Sequence, residues 1–322
     1  MNNLVVILHN KVYDHSNPDE TDVLQQVDLV ADAYRQLGYD PVSMELGKNP
    51  LNDIVKVRKL KPLFVFNLVE SVFEKGELLY IGPALLNTFQ IPYTGVPLEA
   101  LFITTSKVLS KKMMNCFNIP TPASYQVNET DRLDPEKQYI VKPIWEDGSV
   151  GLDEDSLFRV NEPMKIKRIR RLSPVQYFIE EFVDGREFNV SVLGGKNKTD
   201  VLQPAEMLFK DFPAEKPKIL GYKAKWDASS VEYQNTIRSF ETLDARSSLY
   251  SELKNLCLDC WKHFNLKGYA RIDFRTDGNS RPFVIEINGN PCISPDSGFI
   301  AAAHHAGLNN QTVIRRISEE LN

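Results

Sequence analysis

The chain lacks the marks of a membrane, an oxidising compartment or a nucleic-acid partner. Its 322 residues hold only four cysteines, too scattered to form a disulfide framework. No apolar run approaches the length that spans a bilayer. The start, MNNLVVILHN, has no basic stretch and no small-residue cleavage site, so it reads as a first core strand rather than a signal peptide. There is no excess of positive charge: 43 acids face 38 bases, a formal charge of −5. The one basic run, Lys165–Arg171, has no interleaved aromatics and reads as a solvated helix face. These absences predict a reduced, cytoplasmic protein with neither nucleic acid nor membrane as a partner.

What is present is ordinary for a soluble globular protein: 42% hydrophobic and 25% charged residues, in a chain long enough for two or three domains. LVVIL (4–8) has the continuous apolar character of a buried parallel strand. Val23, Val27, Val30, Tyr34 and Leu37 fall at helical spacing, and Gly38 is placed to end that helix. PVSMEL and LFVF read as further strands and ELLYIGPALLNTF as a helix, so residues 1–103 predict a small α/β domain with a parallel sheet. From Thr104 the pattern changes. A helix starts near Ser106, and short strands follow at PASYQV, QYIVKP (138–143) and QYFIEEFV (176–183), with a basic helix before the last. Later strands are expected at EFNVSVL, DVLQPAEM, YARIDF and FVIEI, with ELKNLCLDCWKHF as a helix between the second and third. Residues 227–248 are polar and poor in large apolar side chains, which predicts a mobile loop.

The chemistry concentrates near the C-terminus. YARIDFR carries Arg271 and Asp273 two residues apart, and RPFVIEINGNP carries Glu286 and Asn288 with the same spacing. Residues two apart on a strand share a face. If the strands pair antiparallel across TDGNS (276–280), two acids, an amide and a guanidinium converge, with Ile272, Phe274, Ile285 and Ile287 packed behind. Hard oxygen ligands at that density suit Mg²⁺ bridging nucleotide phosphates. Upstream, Lys142 ends an apolar strand and is followed by EDGSVG (146–151), where glycines would let backbone N–H groups approach phosphate oxygens. FIEEFVDGREF offers Glu180 and Glu181 beside a prospective adenine and Glu187 beside a ribose. Lys107 and Lys225 are further candidate phosphate contacts. Cys257, Cys260 and His263 sit at helical spacing with Leu253, Leu256 and Phe264, so core packing explains them better than zinc.

The ordered set Lys107, Lys142-Pro143, GSVG, EEFVDGREF, Lys225, Arg271/Asp273 and Glu286/Asn288 resembles the ATP-grasp superfamily. Within it the chain is most similar to the D-alanine–D-alanine ligases, and IPYTG, the SKVLSKK helix and IPTP fit the same pattern. The resemblance implies an α/β ATP-grasp fold in three parts. These are an N-terminal Rossmann-like parallel-sheet domain (1–103), a central subdomain (104–185) and a C-terminal subdomain bearing metal and catalytic residues (186–322), the last two clasping ATP. By similarity, Asp273, Glu286 and Asn288 would bind two Mg²⁺ ions, with Mn²⁺ able to substitute. Lys107, Lys142 and the Ser149 loop would contact phosphates, Lys225 the terminal ones, and Glu180, Glu181, Phe182, Val183 and Glu187 would line the adenosine pocket. The implied reaction joins a small carboxylate to a small amine through an acyl phosphate, releasing ADP and phosphate, often in a homodimer. Arg271 would stabilise the oxyanion of the tetrahedral intermediate, and the 227–248 loop resembles the lid that keeps water from the acyl phosphate.

The departures fall where substrate is read. LHNKVYDHSNPDETD stands in place of a glycine-rich stretch with an ammonium-binding glutamate, with Glu20 and Asp22 as candidate replacements. FNLVES (66–71) replaces a histidine-glycine motif and would turn Asn67 and Glu70 toward substrate. Gly148 replaces the first of two tandem serines, and Pro291-Cys292 replaces proline-glycine. Ser297 aligns with the serine that binds the second substrate's carboxylate. These changes leave ATP handling intact, remove most of the D-alanine-specific contacts and predict a divergent ligase, with the identity of both substrates left open. Two other readings remain at this stage: an ATP-grasp kinase of a small acid or hydroxyl, and a non-catalytic ATP-binding regulatory module.

Overall fold

In the computed structural model, which describes residues 3–146, 148–213 and 216–322, three sheets carry the chain. In the first, β1 (Leu4–Asn10) lies between β2 (Asp40–Leu46) and β3 (Phe64–Leu68), parallel to both. Both faces of β1 are covered, which is why its sequence is apolar throughout rather than alternating. Val5 and Ile7 join the core formed with α2 (Val23–Gln36), which follows the single-turn α1 (Pro18–Thr21). Val6 and Leu8 pack with Ile54 and Val57 of α3 (Pro50–Leu60) and Leu86 of α4 (Ile81–Thr88). The α2 stripe of Val23, Val27, Val30 and Tyr34 is buried as its spacing predicts, and Gly38 takes φ +84° just beyond the helix. The α3 helix was not expected, although Asn49 caps it by accepting from Asn52 N–H (3.2 Å) and Pro50 opens it.

Two helices lead out of this layer, α5 (Leu98–Thr105) and α6 (Lys107–Cys116), the second capped by Ser106. The second sheet is antiparallel and holds β4 (Ser124–Gln126), β5 (Gln138–Pro143), β6 (Leu157–Arg159) and β7 (Tyr177–Glu181) in the order β4-β7-β5-β6, with α7 (Pro163–Ile169) between β6 and β7 in the chain.

The third sheet is antiparallel with strand order β11-β10-β8-β12-β13. Its members are β8 (Glu187–Leu193), β10 (Ala205–Phe209), β11 (Thr236–Ser239), β12 (Tyr269–Thr276) and β13 (Pro282–Asn288), with β9 (Asp200–Val201) beside β8. The expected DVLQPAEM strand is split around Pro204 into β9 and β10. Residues 227–248, expected as a mobile loop, instead contain α9 (Val231–Asn235), which follows α8 (Tyr222–Trp226), and the edge strand β11. An edge strand draws its backbone bonds from one neighbour, here β10, and needs few apolar residues. The covering face carries α10 (Ser248–His263): Leu253, Leu256, Cys257 and Cys260 pack against Phe188, Val190, Ile272 and Phe274. The cysteine pair is therefore core, and His263 stacks on Phe117 with centroids 4.1 Å apart. The chain ends in α11 (Gly298–His305) and α12 (Asn310–Ile317), the latter packed on α2.

Candidate active site

β12 and β13 pair antiparallel, with Arg271 opposite Asn288 and Asp273 opposite Glu286. A bulge makes this possible. The register shifts between Asp273 and Phe274, so Phe274 faces Val284 and Ile285 is the extra residue. Strict alternation would put Val284 and Glu286 on the same side. The extra residue lets Val284 and Ile287 enter the core while Glu286 and Asn288 turn to the other face. Ile285, expected in the core, is accordingly only half-buried.

Each acid has a cation. The Arg271 guanidinium donates to both Asp273 carboxylate oxygens at 2.8 Å, and Lys107 Nζ lies 2.9 Å from Glu286 Oε1 while donating to the Glu146 carbonyl (2.7 Å). Lys142 and Lys111 clamp Glu180 from two sides, each at 2.5 Å. Burial alone would raise the Glu180 carboxyl, but the two ammoniums outweigh it and hold it below the usual range. Glu187 is the reverse case. It is buried 3.6 Å from Arg275, and burial, which Asp273 reinforces, wins and raises its carboxyl. Arg275 in turn lies over the Phe182 ring at 4.7 Å, while Glu181 pairs with Lys137 (2.9 Å) on a wetter edge and Val183 is half-buried.

A cavity of about 750 Å³ opens beside these strands. Lys225, Arg271, Asn288, Glu70 and Ser297 all line it, so the structure brings these five predicted residues together. Burial and the Arg271 charge push the Lys225 ammonium below the usual lysine range. Glu20 and Asp22 also face the cavity, Asp22 accepting from the Cys292 thiol at 2.9 Å. Glu70 is held by Gln26 (2.9 Å). Asn67 is not among the lining residues; it is buried in β3 with its Oδ1 accepting from Val69 N–H.

The 146–151 loop covers one side; its Asp147 lies outside the described residues. Gly148 and Ser149 both take φ +65°, a conformation that glycine adopts freely and serine rarely. Ser149 Oγ donates to the Leu220 carbonyl (2.6 Å), and Trp226 Nε1 donates to the Gly148 carbonyl (3.0 Å). Tyr222 reaches across to Asp19 of α1 at 2.9 Å. Residues 220–226 thus hold this loop, and Tyr233, Thr236 and Arg238 of the stretch that sequence reading assigned to a lid line the same cavity.

Sequence reasoning missed Asn189, Thr236 and Arg238, which also line the cavity. Asn189 sits opposite Asp273 and shares its face of the sheet; Asn189 Nδ2 and Thr236 Oγ1 are buried with no hydrogen-bond partner among the described residues. The alternation of EFNVSVL, with Glu187 and Asn189 two apart, was a legible signal for the first. For the other two there was none once 227–248 was read as a loop.

A family model described as "D-ala D-ala ligase C-terminus" matches residues 135–319, over half of the chain. The chain belongs to the D-alanine–D-alanine ligase family. As a member it is a D-alanine–D-alanine-ligase-like, ATP-dependent enzyme of the kind that forms a carbon–nitrogen bond, and this disfavours the kinase and regulatory readings. It is 30% identical over 308 residues to a D-alanine–D-alanine ligase of Marinomonas sp., covering 92% of this chain and 90% of that one. It is also 29% identical over 301 residues to an uncharacterized protein, y4sG, of Sinorhizobium fredii, covering 90% and 85%. Among solved structures it is similar to the D-alanyl-alanine synthetase A of Vibrio cholerae (TM-score 0.75, 16% identity, 99% and 98% covered). It resembles equally the D-alanine–D-alanine ligase of Bacillus anthracis complexed with ATP (TM-score 0.72, 18% identity, 98% and 95% covered). These likenesses establish the α/β fold of the family's structures. No helix among the described residues is long and apolar enough to cross a membrane.

Proposed function

We propose that this ligase activates the carboxylate of one small molecule with ATP and joins it to the amine of another, and that its substrate pair is not two D-alanines. The observation that carries the reading is the double rung Arg271/Asn288 and Asp273/Glu286, whose Arg271 and Asn288 line a cavity that Ser297 and Glu70 line too.

The donor set fits a divalent cation: two carboxylates directly opposite each other and an amide one alternation on, already holding the positive charge of Arg271 and Lys107. Asp273, Glu286 and Asn288 would hold Mg²⁺, which when bound neutralises phosphate charge. Lys107, Lys142 and the Ser149 loop bind phosphate oxygens, their ammoniums exchanging a protein carboxylate for a phosphate. Lys225 takes the terminal phosphate. Glu181, Phe182, Val183 and Glu187 face the adenosine, with Glu180 setting the two lysines behind it. Arg271 steadies the oxyanion formed when the amine attacks the acyl phosphate. The 220–226 segment excludes water through its bonds to Gly148 and Asp19. The parts 1–103, 104–185 and 186–322 would act as the three units of the clasp.

The substrate end supports the divergence. Asp22, a candidate for the family's ammonium-binding glutamate, lies with Glu70 and Cys292, which stand where the family carries histidine-glycine and glycine, and the three form an acidic recess for the ammonium of the first substrate. A panel of paired carboxylates and amines tests the reading: ADP release should require both partners and yield an amide. Release of ADP with a stable phosphorylated product and no amide would refute it.

A further inference from the structure

Arg238 lines this cavity without a carboxylate within ion-pair distance among the described residues. It sits on β11, opposite Met207 of β10, and both side chains line the cavity. Its Nη1 donates only to main-chain carbonyls, Asp296 (3.3 Å) and Ser297 (3.5 Å). The guanidinium lies flat against Gly298, where a Cβ would stand 3.7–3.9 Å from Nη2, Nε and Cζ. No carboxylate among the described residues forms an ion pair with it, whereas Arg271 is held bidentate by Asp273. Burial and the Arg271 charge disfavour its protonated form, and the Asp296 carboxylate offsets them only in part. A half-buried guanidinium with free donors, set beside another guanidinium, calls for an anion from outside the protein.

We propose that Arg238 is a specificity-determining residue that pairs with a carboxylate of the amine-bearing substrate, beside Ser297. An amine without a nearby carboxylate would leave this guanidinium unengaged. This assignment rests on the ligase reading, which gives Ser297 to the second substrate. A charged bidentate contact is lost when the carboxylate becomes a carboxamide, because the guanidinium then meets a neutral group with only one acceptor. A merely structural Arg238, holding the 296–297 turn, would not distinguish the two.

The test uses the full chain with Mg²⁺ and ADP and a panel of free α-amino acids, each paired with its own α-carboxamide. Binding is measured by calorimetry. In the wild type, the acids that bind should be preferred over their carboxamides by at least about tenfold. Arg238→Gln removes the charge and leaves a shorter polar side chain, and should erase the preference while ADP binding is unchanged. Arg238→Lys should restore part of it, and serves as the second variant should the glutamine form fail to fold. A wild type that binds no acid better than its carboxamide overturns the assignment, as does a preference that survives Arg238→Gln. Preserved carboxylate selectivity with ADP release but no amide product would instead sink the ligase reading and leave Arg238 as an anion-binding residue.

Discussion

Glu180 offers the sharpest quantitative test of how the nucleotide side of the site is built. The side chain is buried with Lys111 and Lys142 each 2.5 Å away, and Lys111 is buried as well. Glu180→Gln keeps the shape but leaves two ammoniums around a neutral amide. Breaking a buried pair by removing one partner costs about 3–5 kcal/mol, because the remaining charge stays desolvated. Lys111 keeps two neutral acceptors, Thr121 Oγ1 at 2.8 Å and the Pro122 carbonyl at 3.5 Å, which places the expectation near the lower bound, about 3 kcal/mol. Urea unfolding measures it, and Lys111→Met in the Glu180→Gln background should recover part of the loss. The pH dependence has a fixed sign. The folded carboxyl lies below its ordinary value of 4.5, so its contribution is complete above that value and fades as pH falls through the folded one. The variant should lack this acid limb. A loss below about 1 kcal/mol, or an unchanged acid limb, would mean that the two lysines do not depend on this carboxylate.

Asp273→Asn or Glu286→Gln should abolish amide formation while the fold survives, as checked by circular dichroism beside product assays. Ile287→Ala should destabilise by about 2–5 kcal/mol and Ile285→Ala by less than about 1, since only Ile287 fills the core; thermal melts of both variants compare them. Tyr222→Phe removes the bond to Asp19 and should raise ATP hydrolysis without amide product, read as the ratio of phosphate to amide. Iodoacetamide should label Cys116, which is exposed, well before Cys257, Cys260 and Cys292, whose thiols burial pushes up; peptide mass spectrometry reports the order.

The strands that build the site were legible because their two jobs leave opposite residues on alternate positions. Arg271/Asp273 and Glu286/Asn288 could be paired from spacing alone. Two things were hidden. The bulge at Ile285 is invisible to a period-2 count, which put Ile285 in the core and left out Val284. The β11 strand has one face on a polar cavity and one neighbour in the sheet, so its residues look like those of a loop, and Arg238 went unnoticed with it. Asn67 shows the converse: a polar residue next to the right strand end, with its amide already spent on Val69. Lone polar side chains reveal chemistry only when the backbone beside them does not need their hydrogen bonds.

The extra residue in β13 divides the hairpin into two stretches whose in-and-out phases are set separately. Changes in length or sequence at the tip, around Asp277 to Ser280, propagate only as far as Val284. An engineer could graft a longer tip there and leave Glu286 and Asn288 aimed as they are, whereas adding a single residue between those two would turn one of them inward.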